Sequence, residues 1–300
     1  MFGRLLAAFL ILQIPAGIFL AEVTVRPGRK VLSPQEARAE REIAGRLGSE
    51  LTDATIVARD GAKLQAWSIH PLHGNGNAVI LLHGLGDDRA GMNGYAELFL
   101  ARENDVLMPD ARAHGASGGN LATFGLLESD DIHRWLDWLE QNDHPACIYG
   151  LGESMGAAQL LQSLRAESRF CAVVAESPFA SFREIGYDRM GQRFHTGPWL
   201  GRTLLRPLVE FAFLYGDWKY KQDLTEASPE LAIAGSKVPV FLIHGIVDSN
   251  IPLRHSRLIV AHNPGVSLWE VPNVDHCGAM SVAPEEFADR VIGWMNRHTR

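Results

Sequence analysis

The segment Gly-Glu-Ser-Met-Gly at residues 152–156 has the composition and spacing of a reactive serine held on a sharp turn. A short apolar run precedes it and an amphipathic run follows it, which indicates a strand, a turn and a helix. A serine hydroxyl becomes an effective nucleophile only when it is exposed and a base can take its proton. The glycines two residues before and after Ser154 leave room for the crowded backbone of such a turn. The pattern therefore predicts that Ser154 is a nucleophile.

A base and a carboxylate follow two later strands of the predicted fold. His276 comes after the last apolar run of the chain, and Asp248 comes after the run before it. Functional groups of open α/β sheets gather at the carboxyl ends of the strands, so we expect both side chains near Ser154. We predict that His276 removes the serine proton and that Asp248 orients the imidazole, in the chain order Ser, Asp, His. Glu176, at the end of another predicted strand, is the rival carboxylate for this role.

The sequence also offers backbone amides for a negatively charged reaction intermediate. His-Gly-Leu-Gly at residues 83–86 directly follows the third predicted strand, and we expect an amide of this loop to supply one donor. The amide of Met155, at the start of the helix after Ser154, is expected to supply the other. Each such donor typically contributes about 3 kcal/mol of transition-state stabilisation.

Other polar residues near these positions are interpreted as structural. His83 and His244 each precede a glycine at a strand end, and a loop-shaping role is favoured over proton transfer. Asp275 is adjacent to His276 in the chain but is expected to point elsewhere. The remaining residues to which this interpretation gives no catalytic role are Glu153, Cys277, Asp110 and Arg112.

Short apolar runs alternate with longer amphipathic segments from residue 54 to the C-terminus. The first two runs flank a turn at Asp60 and Gly61 and indicate an antiparallel pair, whereas the later runs suit strands of a buried parallel sheet. We predict a fold of the α/β class, with a mostly parallel, eight-stranded twisted sheet flanked by helices. The predicted strands are 55–58, 64–69, 78–82, 105–108, 146–149, 171–175, 238–243 and 267–271, and the predicted helices are 95–102, 129–140, 155–165, 254–262 and 284–298.

The interval 177–237 is longer than a simple connection between two strands requires, and it is rich in aromatic residues. A helical cap inserted over one end of the sheet fits this composition. The alternative is a set of extra helices that pack on the scaffold without covering a site.

From about residue 54 onward the chain resembles the α/β-hydrolase family, in the style of its serine-aminopeptidase-like and monoacylglycerol-lipase-like branch. The motifs that carry the resemblance are those above, together with the turn at 109–118, where Ala113 occupies a position usually held by glycine. The resemblance implies a triad of Ser154, His276 and Asp248, with the amides of Leu85 and Met155 as oxyanion donors. It also implies ester, thioester or amide substrates, and neither a metal nor an organic cofactor.

The N-terminal residues 1–25 form a separate apolar segment. No charged side chain occurs between residues 5 and 21, and basic residues flank both ends. The length favours an uncleaved membrane anchor, while a cleaved export signal and a buried helix remain open. A cut after Ala21 is disfavoured because Phe19 is large. Residues 26–53 are expected to be a linker with a short helix within 33–50, and residues 54–300 the hydrolase domain.

The net charge and the cysteines bear on which partners and which cross-links the chain can have. The formal net charge is −7 without any long basic run, which argues against nucleic acid as a partner. Cys147 and Cys171 open two predicted neighbouring strands, so a disulfide is open if the domain is exported, but buried free thiols are favoured. The oligomeric state is not fixed by the sequence.

Three hypotheses for function follow from these residues. We favour a hydrolase of carboxylic esters, including lipid-like esters at a membrane, because the N-terminus is apolar and the predicted cap is aromatic. A peptidase or amidase would use the same chemistry but needs a site for a substrate terminus. The third hypothesis is a catalytically silent protein of the same fold that serves in binding, and the intact triad counts against it.

Overall fold

The computed structural model describes residues 2–299 of the chain, with side chains from residue 12 onward. Its centre is one eight-stranded sheet with the order β1-β2-β4-β3-β5-β6-β7-β8. The first two strands are antiparallel to each other, the second is antiparallel to the fourth, and the remaining neighbours are parallel. The strands, numbered in chain order, are Ser49–Val57, Lys63–Pro71, Asn77–Leu82, Asp105–Pro109, Cys147–Glu153, Phe170–Glu176, Val240–Gly245 and Ser267–Val271.

All eight predicted strands are present, and the prediction of a mostly parallel sheet is confirmed. The largest difference is at β1, which begins at Ser49, inside the segment predicted to be a linker. β1 is an edge strand, and only Leu51 and Ala54 of its nine residues are buried. A strand with one partly covered face carries few apolar residues, and its first half therefore resembles a polar linker.

Helices cover both faces of the sheet. Successive side chains of β3 point to opposite faces of the sheet and so contribute to two apolar cores. Val79 and Leu81 belong to one core, and Ala78, Ile80 and Leu82 belong to the other. Two short 3-10 helices lie at Arg89–Met92 and Leu224–Glu226. The α-helices, numbered α1 to α12 in chain order, are Phe2–Val25, Pro34–Arg46, Asn93–Leu100, Glu128–Asn142, Met155–Ser163, Phe182–Gln192, Trp199–Arg202, Arg206–Tyr220, Pro229–Ala232, Arg254–His262, Ala279–Val282 and Pro284–Arg297.

Cys147 and Cys171 are joined in a disulfide, so the expectation of free thiols is wrong here. They lie at the start of the parallel neighbours β5 and β6, where the pairing register shifts between Ile148 and Tyr149. Their Cα atoms lie 5.7 Å apart, within the usual range for a disulfide. A local irregularity of this kind is not encoded in the apolar pattern of the two strands.

The interval 177–237, called the cap below, contains α6 to α9 and packs on the carboxyl ends of the strands. Phe182, Val209 and Phe213 of the cap belong to one apolar cluster with Met155 of α5 and Val25 of α1. The cap therefore covers the edge of the sheet where Ser154 lies. Of the two alternatives, the structure has the helical cap.

The apolar N-terminal segment is one helix, α1, whose described side chains lie against α8 of the cap. In the part of the chain that the structure describes, no helix has both the length and the apolar character needed to traverse a bilayer. The side chains of residues 5–11, which belong to the predicted anchor, lie outside the described ones. Membrane anchoring and export stay predictions.

Candidate active site

Ser154 lies on a sharp turn between β5 and α5, as its flanking pattern predicts. Its backbone has φ 51° and ψ −111°, an unfavourable conformation for a residue with a side chain. Glycine is required on both sides of the turn. A Cβ on Gly152 would lie 2.6 Å from the backbone of Gly156, and one on Gly156 would lie 2.2 Å from the Leu82 oxygen. The spacing of the motif thus has a steric cause.

The three predicted side chains of the site meet in one hydrogen-bonded row. The Nε2 atom of His276 lies 2.8 Å from the Oγ of Ser154, and its Nδ1 lies 2.8 Å from the Oδ2 of Asp248. The other Asp248 oxygen accepts hydrogen bonds from the amides of Asn250 and Ile251 at 2.9 and 2.8 Å. Loops at the ends of β5, β7 and β8 supply these residues, and these three loops together with Glu176, the last residue of β6, are called the catalytic edge below.

The electrostatics of Asp248 keep it ionised. Burial alone raises the pKa of this carboxyl, but hydrogen bonds from His244 and His276 outweigh burial, and the pKa lies well below its usual range. With Asp248 charged, the proton of the neutral imidazole is favoured on Nδ1. The Nε2 atom of His276 is then free to accept the proton of Ser154.

Glu176, the rival carboxylate, does not reach the imidazole. Its two side-chain oxygens accept hydrogen bonds from the Tyr95 hydroxyl at 2.9 Å and from the Ala279 amide at 3.0 Å. Burial raises the pKa of Glu176. It therefore supports the loop that follows His276 and does not orient the ring.

The two amides predicted to bind an oxyanion, those of Leu85 and Met155, belong to residues that line the same cavity as Ser154 and His276. Within the described residues, neither amide donates a hydrogen bond to another protein group. The Met155 amide is the first of α5, where the helix dipole favours negative charge. Both are available to a substrate oxygen.

The remaining polar residues near the strand ends have structural partners. His83 accepts a hydrogen bond from the Ala111 amide at 3.0 Å, and His244 lies 2.8 Å from the Ile251 oxygen. The carboxylate of Asp275 accepts from the amides of Ser249 and His276.

The turn after β4 is held by a similar network. Asp110 pairs with Arg89 at 2.8 Å, and both nitrogens of one edge of the Arg112 guanidinium contact Asp131 at 2.7 Å. Ala113 has φ 62°, the left-handed region that favours glycine, which explains why glycine is usual there.

A cavity of about 600 Å³ opens above Ser154. Ser154 and His276 lie at its base, and apolar side chains of the cap, including Phe182, Ile185 and Phe213, form one wall. An apolar cavity with a few polar groups at one end is the usual form of a small-molecule site.

Comparison with known proteins agrees with this geometry. Residues 79–290 match the model of the alpha/beta hydrolase family. The chain belongs to the α/β-hydrolase family. Two uncharacterized bacterial proteins are similar to this hydrolase: YqkD of Bacillus subtilis and YfhR of Escherichia coli. YqkD is 28% identical over 76% of this chain and 73% of its own length, and YfhR is 25% identical over 80% of each chain.

Solved structures resemble this hydrolase along most of its length. An esterase from Pyrococcus furiosus superposes with a TM-score of 0.71 at 28% identity, over 92% of this chain and 100% of that one. An acylaminoacyl peptidase from Pyrococcus horikoshii gives a TM-score of 0.64 at 16% identity, over 84% of this chain and 42% of that one. The second likeness shows the fold alone.

Two groups of residues that line the cavity of this hydrolase were not predicted from its sequence. Glu153, to which no role was given, lines the cavity, and burial together with the charge of Glu176 raises its pKa to about 7. Four residues of α1, from Leu20 to Thr24, also line it. No signal in an apolar N-terminal run distinguishes a helix that folds back onto the cap from an anchor that leaves the domain.

Proposed function

We propose that this protein is a serine hydrolase that cleaves carboxylic esters with an apolar acyl group through an acyl-enzyme. The observation that carries the proposal is the row of two 2.8 Å contacts from Ser154 through His276 to Asp248. The apolar walls of the cavity suit an aliphatic chain. The likeness to the esterase of Pyrococcus furiosus supports an ester as the substrate.

The mechanism follows from the atoms of the row. The Oγ of Ser154 attacks the ester carbonyl while the Nε2 of His276 takes its proton. The negative charge on the former carbonyl oxygen is held by the amides of Leu85 and Met155. The alcohol then leaves with the proton from His276, and the acyl group remains on Ser154. Water, activated by the same imidazole, releases the acid and restores the serine.

Replacement of the nucleophile tests this proposal. Ser154→Ala should reduce the hydrolysis of short p-nitrophenyl esters by at least about 10⁴-fold, because no covalent intermediate can form. It should also abolish labelling by a fluorophosphonate probe. Ser168→Ala, an exposed serine far from the cavity, is the matched control and should keep both. Full activity of Ser154→Ala would contradict the proposed nucleophile.

The leaving group is tested with a panel of substrates. The purified chain is assayed against esters with acyl chains of two to twelve carbons and against aminoacyl amides. We expect esters to be preferred, because most of the residues that line the described cavity are apolar and suit an acyl chain. Preference for the amides would instead assign a peptidase or amidase.

A further inference from the structure

The C-terminal end of α1 is part of the catalytic cavity. Leu20, Ala21, Val23 and Thr24 line the same space as Ser154 and His276. Residues of α6 and α8 of the cap line this space as well. An acyl group bound to Ser154 and extending into this space would therefore contact both α1 and the cap.

Close packing holds α1 in this position. Gly17 permits the approach of α8, since a Cβ there would lie 2.7 Å from the Phe211 ring and 3.2 Å from the Leu208 oxygen. Ala21 and Val25 are buried, with 3% and 2% of their surface exposed. One face of the helix is thus fitted to the cap.

Polar contacts tie the same helix to both the cap and the main domain. Glu22 accepts hydrogen bonds from Lys219 at 2.6 Å and from Tyr215 at 3.0 Å, both on α8. At the end of α1, the Val25 oxygen accepts from the Ala122 amide at 2.9 Å. The helix end is therefore attached to the segment between β4 and α4.

The residues after α1 continue this attachment. The Arg29 guanidinium donates to the backbone oxygens of Ser117 and Gly119, in the turn after β4. Lys30 pairs at 2.8 Å with Asp87, which itself lines the cavity. The segment from Gly17 to Lys30 is thus held to the domain at several separate points.

We propose that residues 20–24 of α1 are a wall of the acyl-binding pocket and set the length of acyl chain that the enzyme accepts. The inference rests on the proposed function, and it names the residues that determine the selectivity for acyl-chain length. It also requires that the active enzyme keeps this segment, because a cut after Ala21 would remove Leu20 and Ala21 from the wall.

The test places a large side chain in the wall. In the full-length chain, Leu20→Trp should lower the ratio of kcat/KM for the decanoyl ester to kcat/KM for the acetyl ester by at least tenfold. Val23→Trp, at a half-exposed position of the same wall, should shift the ratio in the same direction. Phe19→Trp is the matched control: Phe19 is 68% exposed and lies outside the cavity lining, so the ratio should stay within twofold of the wild type.

The outcomes separate this inference from the proposed function. A wild-type chain that neither hydrolyses esters nor labels with a fluorophosphonate would defeat the proposed function itself. If the wild type is active but both tryptophan variants keep its chain-length ratio and its melting temperature, the wall assignment is overturned. If Leu20→Trp does not fold, Val23→Trp decides the question. An equal shift in Phe19→Trp would also count against the wall, since bulk outside the cavity would then have the same effect.

Discussion

The catalytic edge and the two N-terminal helices differ in how completely their buried polar groups are hydrogen-bonded. Each carboxylate oxygen of Asp248 and Glu176 accepts a hydrogen bond, from an imidazole, a phenol or a backbone amide. In the described side chains of α1 and α2, the Oε1 of Gln13 and both oxygens of Glu40 are buried without a partner. Unpaired buried groups of this kind destabilise a fold, whereas fully paired networks fix one geometry.

Under the proposed function, this difference distinguishes the residues that perform the chemistry from those that shape the pocket. A proton transfer between Ser154 and His276 needs distances fixed to a fraction of an ångström, and the network of the catalytic edge supplies them. A pocket wall needs only the right volume, and apolar packing between α1 and α8 is sufficient for that. Changes in the N-terminal helices should therefore alter selectivity and stability, while changes at the catalytic edge should alter the chemical step.

The largest expected effect tests the catalytic edge. Asp248→Asn removes the charge that orients His276 and stabilises its cation, so kcat for a short ester should fall by about 10⁴-fold. Glu176→Gln is the comparison variant, because that carboxyl contacts Tyr95 and Ala279 and not the imidazole. Steady-state kinetics of both variants are the measurement. A larger loss in Glu176→Gln than in Asp248→Asn would mean that Glu176, and not Asp248, orients the imidazole.

A smaller effect is expected at the opposite end of the same strands. The disulfide links Cys147 and Cys171, at the start of β5 and β6, across a separation of 24 residues. Replacement of both by alanine should lower the free energy of unfolding by about 3–4 kcal/mol, since a loop of this size is no longer closed in the unfolded chain. Guanidinium unfolding measures this loss.

The kinetics of the same double variant sharpen the comparison. Ser154 lies at the other end of β5, so kcat/KM for a short ester at 25 °C should stay within about twofold of the wild type. A fall comparable to that of Asp248→Asn would mean that the two ends of β5 are not independent. Loss of the disulfide would then affect the chemical step as well as the stability.

The strands and the turn at Ser154 could be predicted from sequence because their signals are local. Each buried strand is a continuous apolar run, and the glycines around Ser154 mark a turn that no larger residue fits. His276 and Asp248 follow from topology, since parallel strands bring their carboxyl ends to one edge. The sequence already favoured Asp248 over Glu176 as the partner of the imidazole. The contacts of Glu176 with Tyr95 and Ala279 join distant parts of the chain and could not be predicted from the sequence.

The remaining features depend on tertiary fit. The contact of Gly17 with Phe211 joins parts of the chain that are far apart in sequence, and an apolar helix carries the same pattern whether it meets lipid or the cap. The disulfide depends on how closely the starts of β5 and β6 approach each other, and the apolar pattern of the two strands does not encode this distance. The first half of β1 was missed because an edge strand buries few of its residues.

The smallest effect concerns Glu40 of α2 and its dependence on pH. Burial, assisted by the charge of Glu97, raises the pKa of Glu40 to about 7 in the folded protein, above the usual value of about 4.3 for an exposed glutamate. Between these pH values the folded state holds a proton that the unfolded state has lost, so the free energy of unfolding should fall as the pH rises from about 4.5 to 7.

The variant Glu40→Gln should remove this dependence on pH. Its melting temperature should match the wild type at pH 4.5 and exceed it at pH 8, whereas Glu42→Gln, on the exposed side of the same helix, should show no such divergence. Equal pH profiles of wild type and Glu40→Gln would mean that Glu40 finds a partner in solution, and the N-terminal helices would then be as fully hydrogen-bonded as the catalytic edge.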